Sequence, residues 1–131
     1  MQPQWKWIGL VALTVVSAGC YRTVLNLEKT YEFLPGDEQE IIVEPARREQ
    51  KIKVEASSSA APVSIFVFLE KDRDAVKRDI RTRKEPLTNL LAHEEKTTSA
   101  SLEATIPADS SAVVLITRAS KATTVTVKLT N

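Results

Sequence analysis

With one cysteine, one histidine and no excess of either charge sign, this 131-residue chain has few of the groups that metal, thiol or nucleic-acid chemistry needs. Cys20 has no second cysteine to pair with, so no intramolecular disulfide forms. A single histidine, His93, and a single cysteine cannot supply three or four zinc ligands without several carboxylates. Lys and Arg number 18 against 17 Asp and Glu, so there is no basic surplus to neutralise a phosphate backbone, and nucleic acid is not an expected partner. Aromatics are also scarce. Both tryptophans, Trp5 and Trp7, precede Cys20, and only Tyr21, Tyr31, Phe33, Phe66 and Phe68 follow it, which disfavours a sugar-stacking platform. No apolar run reaches the roughly 20 residues of a membrane-spanning helix; the longest, Trp7 to Gly19, is shorter.

Catalytic groupings are equally thin. Ser57-Ser58-Ser59 and Ser110-Ser111 have the composition of turns, and nothing around them supplies the partnered base that a serine nucleophile needs. No motif surrounds His93, which reads as a surface imidazole. Asp72-x-Asp74 and Glu94-Glu95 lack the ligand spacing and the glycine of a calcium loop. The expectation is a protein without catalytic residues, metal or cofactor. A hydrolase built on two carboxylates that meet only in space remains a third, lesser alternative.

The first twenty residues carry the strongest pattern. Lys6 precedes an uncharged run from Ile8 to Ala18, and small residues lead to Cys20, which are the three parts of a secretory signal. Ser17-Ala18-Gly19-Cys20 resembles the lipobox of bacterial lipoprotein precursors, although Ser17 stands where that family usually has an aliphatic residue. The resemblance implies cleavage before Cys20 and a diacylglycerol on its sulfur. Ordinary cleavage after Ala18 or Gly19 would instead leave a soluble protein with a free thiol. By the same resemblance Tyr21, which is not the aspartate that retains many lipoproteins at the inner membrane, favours the outer membrane in an organism with two. The expected organisation is a signal peptide over 1–19, a lipidated N-terminus and tether over 20–30, and one domain over 31–131. Lys6 is the only charged side chain before Cys20, so the mature part keeps 17 basic and 17 acidic side chains.

Beyond Lys29, short runs of period two recur between turn residues. Ile52, Val54 and Ala56 alternate with Lys51, Lys53 and Glu55, as in a half-buried strand. Leu102, Ala104 and Ile106 do the same, and so do Val125, Val127 and Leu129. Glu40 to Glu44 forms a further strand, and Val63–Leu69 and Ala112–Thr117 are apolar on both faces, as central strands covered on each side are. The spacing predicts an all-β fold, a small antiparallel β-sandwich of about seven or eight strands and jelly-roll type. Tyr21, Thr23, Leu25, Leu27, Tyr31 and Phe33 share one period-two face, so part of the tether is expected to pair as a strand.

A charged insert breaks this rhythm. Across Asp72–Arg83, Val76 and Ile80 stand four apart, the spacing of a short helix, and Pro86 ends it. Leu90, Leu91 and Ala92 are expected to start a strand that runs to a turn at Thr97-Thr98. Pro62–Val67, Leu102–Pro107, Ala112–Ile116 and Val125–Val127 give the domain a resemblance to bacterial pre-peptidase C-terminal domains and the GOLD domain, which implies an accessory role and transfers no site residue. Within the insert, Lys77, Arg78, Arg81, Arg83 and Lys84 form the one cluster able to meet an anionic partner, with Asp72, Asp74 and Glu85 near enough in sequence to pair it. The functional expectation is a non-enzymatic, membrane-anchored envelope lipoprotein with a protein partner. A small-ligand or glycan-binding module is the alternative.

Overall fold

Alternation decides the sheets, as β3 (Gln50–Ser58) shows: Gln50, Ile52, Val54 and Ala56 are buried while Lys51 and Lys53 face water. The structure, a computed structural model, describes residues 25–84 and 86–131. The other strands are β1 (Asn26–Phe33), β2 (Gln39–Val43), β4 (Val63–Leu69), β5 (Ala92–Thr97), β6 (Ser99–Ile106), β7 (Ala112–Thr117) and β8 (Thr123–Thr130). One four-stranded antiparallel sheet has the order β1-β8-β3-β6, and the second has the order β2-β7-β4-β5. The expected small all-β sandwich is therefore present, with eight strands.

Its topology follows one rule. First pairs with last, second with seventh, third with sixth and fourth with fifth. That nesting of a long hairpin into two packed sheets is the jelly roll. Between the sheets lie Phe33, Ile52, Val54, Ile65, Val67, Ile106, Val114, Ile116, Val125, Val127 and Leu129, each almost wholly out of water. Lys29 of edge strand β1 sits opposite Val127, and Glu94 of edge strand β5 sits opposite Ile65. A charge on the core side of an edge strand resists pairing with another chain.

The two-sided strands are explained by a third layer. A short 3-10 turn (Glu70–Asp72) leads into helix α1 (Arg73–Arg81), which lies on the outer face of the second sheet. Val76 and Ile80 pack there on Phe66, Phe68, Val113 and Leu115, with Leu87 and Leu90 closing the cluster. Nine residues are too few for a stable isolated helix, so this packing holds α1 in place. Burying Val76 and Ile80 contributes about 1.5–3 kcal/mol each.

Two sequence expectations shift. Residues 87–91 are not strand, because Leu87 and Leu90 are drawn to the cluster under α1 while Leu91 turns to the core between the sheets, and β5 begins at Ala92. Residues 26–30, assigned to the tether, belong to β1 and pair with β8 throughout, in line with the strand expected over part of the tether. The turn between β5 and β6 lies at Thr98, within the expected Thr97-Thr98.

The register also sorts the loops into two ends. At one end are the turns 34–38, 59–62 and 118–122 with Thr98, joined by bonds from Ser58 N to Thr98 O and Ser59 N to Thr124 O, both 2.9 Å. Pro35-Gly36 are the centre of the first of these turns, and Gly36, at φ +90°, supplies the conformation it requires. At the other end are the turns 44–49 and 107–111 and the start of the insert. There Asp109 N donates to Ala46 O at 2.7 Å and Glu70 N to Ser111 O at 2.9 Å. The chain enters the domain at this second end, where Leu25 N donates to Asn131 Oδ1 at 3.0 Å.

Candidate interaction surface

Helix α1 starts near the end where Leu25 enters and runs toward the opposite one. Two clamps fix that direction. On the β2 side, Arg73 grips Glu40 with Nε at 2.9 Å and Nη2 at 3.1 Å, and Lys77 Nζ reaches Glu40 at 2.5 Å and Glu38 at 3.1 Å. Arg73 and Lys77 are four apart, hence on one helix face, and Glu40 points outward by the alternation of β2. On the β5 side, Arg118 donates to the Ile80 carbonyl at 2.8 Å and to Glu95 at 3.1 Å, and its guanidinium lies 5.7 Å from the Phe66 ring centre.

These contacts set the charges. Partial burial works to raise the Glu40 carboxyl, but the hydrogen bonds from Arg73 and Lys77 outweigh it and hold the group below the usual carboxylate range. The Lys77 ammonium is pushed up, chiefly by its bond to Glu40. A depressed Glu40 contributes its stability above about pH 5 and loses it as acid protonates the carboxylate; a raised Lys77 contributes below about pH 10 and loses it as the pH climbs past its folded value. Glu40→Gln is accordingly expected to cost about 1–2 kcal/mol at neutral pH, after allowance for the water that still reaches the cluster, and to remove the acid-side loss. Thermal melts of both proteins between pH 3 and 7 check this: wild type converges on the variant near the acid limit.

The C-terminus of α1 closes in a Schellman turn. Lys84 N donates to Asp79 O at 2.9 Å and Arg83 N to Ile80 O at 3.2 Å. Thr82 Oγ1 adds a bond to Arg78 O at 2.9 Å. The position after the cap, normally glycine, is Arg83 at φ 57°. Arg83→Gly relieves that left-handed strain and is expected to raise stability by about 0.5–1 kcal/mol, read as a higher urea midpoint.

The five basic residues of the cluster, Lys77, Arg78, Arg81, Arg83 and Lys84, therefore divide. Lys77, with its side chain only 15% exposed, is committed to Glu38 and Glu40. The side chain of Arg78 is 68% exposed, and its one ion pair among the described residues is with Asp79, at 3.9 Å. Arg81, Arg83 and Lys84 are exposed, and their side chains make no ion pair among the described residues. Arg78, Arg81, Arg83 and Lys84 thus stand together at the helix end remote from Leu25. The neutralising acids are Glu38 and Glu40 of distant sequence, whereas Asp74 only touches Arg73, at 3.7 Å. Nothing local in the sequence links Glu40 to a helix more than thirty residues on.

Other candidates have structural occupations. His93 stacks on Phe66 with centroids 6.2 Å apart and planes 8° apart. Among the described residues no three His, Cys, Asp or Glu side chains converge as metal ligands, and no helix is long and apolar enough to cross a membrane. A shallow cleft of about 360 Å³, lined by Leu69, Glu70, Lys71, Asp109, Ser110 and Ser111, opens at the end where the chain enters. Cys20 and the apolar run before it lie outside the described residues. No protein-family model matches the chain, and no curated protein is significantly similar to it in sequence.

Proposed function

We infer that this chain is an exported lipoprotein, tethered to the cell envelope through Cys20, whose jelly roll is a non-enzymatic domain that binds another envelope component. The observation that carries the reading is the exposed cationic end of the insert, Arg78, Arg81, Arg83 and Lys84, turned away from the end at which Leu25 enters. An exposed cluster of arginines whose one ion pair among the described residues is the long Arg78–Asp79 contact is the kind of feature that meets a partner, because arginine matches planar anions with two parallel bonds. The lipid supports the same picture. Two or more acyl chains hold a protein stably at a bilayer, each buried methylene contributing about 0.8 kcal/mol. The five residues from Cys20 to Leu25 reach at most about 18 Å, so the domain stays beside its membrane. The outer membrane is the expected one in a two-membrane cell.

Cys20→Ala tests the anchor. Cells expressing the wild type and given a clickable fatty acid are expected to label the protein, and the variant to carry no label. An unlabelled wild type would remove the anchor from the account.

A further inference from the structure

We propose that the far end of the insert, Arg78, Arg81, Arg83 and Lys84, docks an acidic segment of another protein, with Leu34 of the adjoining turn as the apolar contact. This deepens the proposed function and rests on the reading of the domain as a binding module.

Three observations select that partner. The first is chemical: three guanidiniums and an ammonium stand exposed, with Arg78–Asp79 at 3.9 Å as their only ion pair among the described residues. Carboxylates suit such forks bidentately. The second is shape. The cations crowd around one helix end and its closing turn instead of tracking a groove, as sites for a nucleic-acid backbone do. The chain's near balance of 18 basic and 17 acidic side chains points the same way. The third is Leu34, 62% exposed in the turn that Asp37 closes with a 3.0 Å bond to Leu34 O. Glu38 follows that turn and holds Lys77, one helical turn before Arg81. A polyanion makes no use of a leucine, whereas a protein interface combines an apolar contact with a polar rim. The headgroups of the protein's own membrane are the wrong occupant. Leu25 enters at the opposite end, and a strand the length of β8 separates the two by about 27 Å.

The test uses full-length protein extracted in a neutral detergent and a fluorescent peptide of alternating glutamate and leucine, followed by anisotropy. Joint replacement Arg78→Gln, Arg81→Gln, Arg83→Gln and Lys84→Gln touches only exposed side chains and is expected to weaken binding at least about tenfold. Leu34→Ser is expected to weaken it about fivefold. Arg47→Gln with Arg48→Gln, exposed at the other end, is expected to change nothing. Equal binding by the fourfold variant, or equal weakening by the Arg47 and Arg48 pair, overturns the proposal. Displacement of the peptide by phosphatidylglycerol in mixed micelles, lost in the fourfold variant, overturns it in favour of a lipid headgroup. Fatty-acid labelling keeps the two readings apart. A labelled wild type that ignores the peptide defeats the docking site alone, and an unlabelled one that binds it defeats the anchor alone.

Discussion

Phe66→Ala is expected to lower the free energy of unfolding by about 4 kcal/mol. The ring is wholly buried at mid-strand in β4 and is the hub of the outer layer. It supports Val76 and Ile80 of α1, carries the stacked His93 ring and lies beneath the Arg118 guanidinium. Truncation loses the transfer energy of the ring and leaves a cavity that the sheet below cannot collapse to fill. It also removes the surface on which Arg118 rests while that side chain holds the helix end. Against a typical domain stability of about 5–15 kcal/mol the loss is large, and urea titration reads it as a lower midpoint. A loss under about 1 kcal/mol would mean that the insert rests loosely on the sheet.

A second large effect separates the two cores. Ile65→Asp places a charge in the core between the sheets, beside Ile116 and opposite the like-charged Glu94 of β5, and is expected to abolish folding. Ile80→Asp places the same charge under α1, at the margin of the sandwich. There the helix can lift and hydrate the carboxylate, so the sandwich is expected to keep its strand signal in circular dichroism. Amide exchange would then be fast across 73–81 and slow in β3 and β8. Loss of all structure in Ile80→Asp would show instead that the three layers fold as one unit.

These two sites also show where the sequence was informative. Strands β3 and β8 were legible because Ile52, Val54, Val125, Val127 and Leu129 alternate with polar residues, and nothing but a half-buried strand explains that period. Phe66 and Phe68 announced a strand covered on both faces, but not what covers it. The cover is the insert itself, whose Val76 and Ile80 are too few to reveal their target. Leu90 and Leu91 were misplaced for a related reason. A short apolar run fits either a strand or a strap over an apolar sheet, and only the unfilled face of β4 and β7 decides between them.

The candidate surface was half legible. Arg78, Arg81, Arg83 and Lys84 are conspicuous as a run, but Lys77 belongs to the same run and has a different fate. Glu40, the residue that takes it away, lies on another strand and reaches α1 only through the pairing of β2 with β7. The separation of the cations from the point of chain entry was not legible at all. It follows from jelly-roll register, in which β1 runs antiparallel to β8 and the insert climbs from the end of β4. No periodicity encodes that.

In the proposed function the two opposed ends divide the work: the end of chain entry would lie at the membrane and the cationic end would face the partner. The direct test is energy transfer from fluorophores on the lipidated protein, in vesicles whose headgroups carry the acceptor. Cys20 is blocked by lipid in that form, so Ser110→Cys and Lys84→Cys each offer a single free thiol for the donor. Strong transfer from position 110 and weak transfer from position 84 is the predicted result. Equal transfer from both, or stronger transfer from 84, would contradict it, because the cationic end would then lie on the membrane.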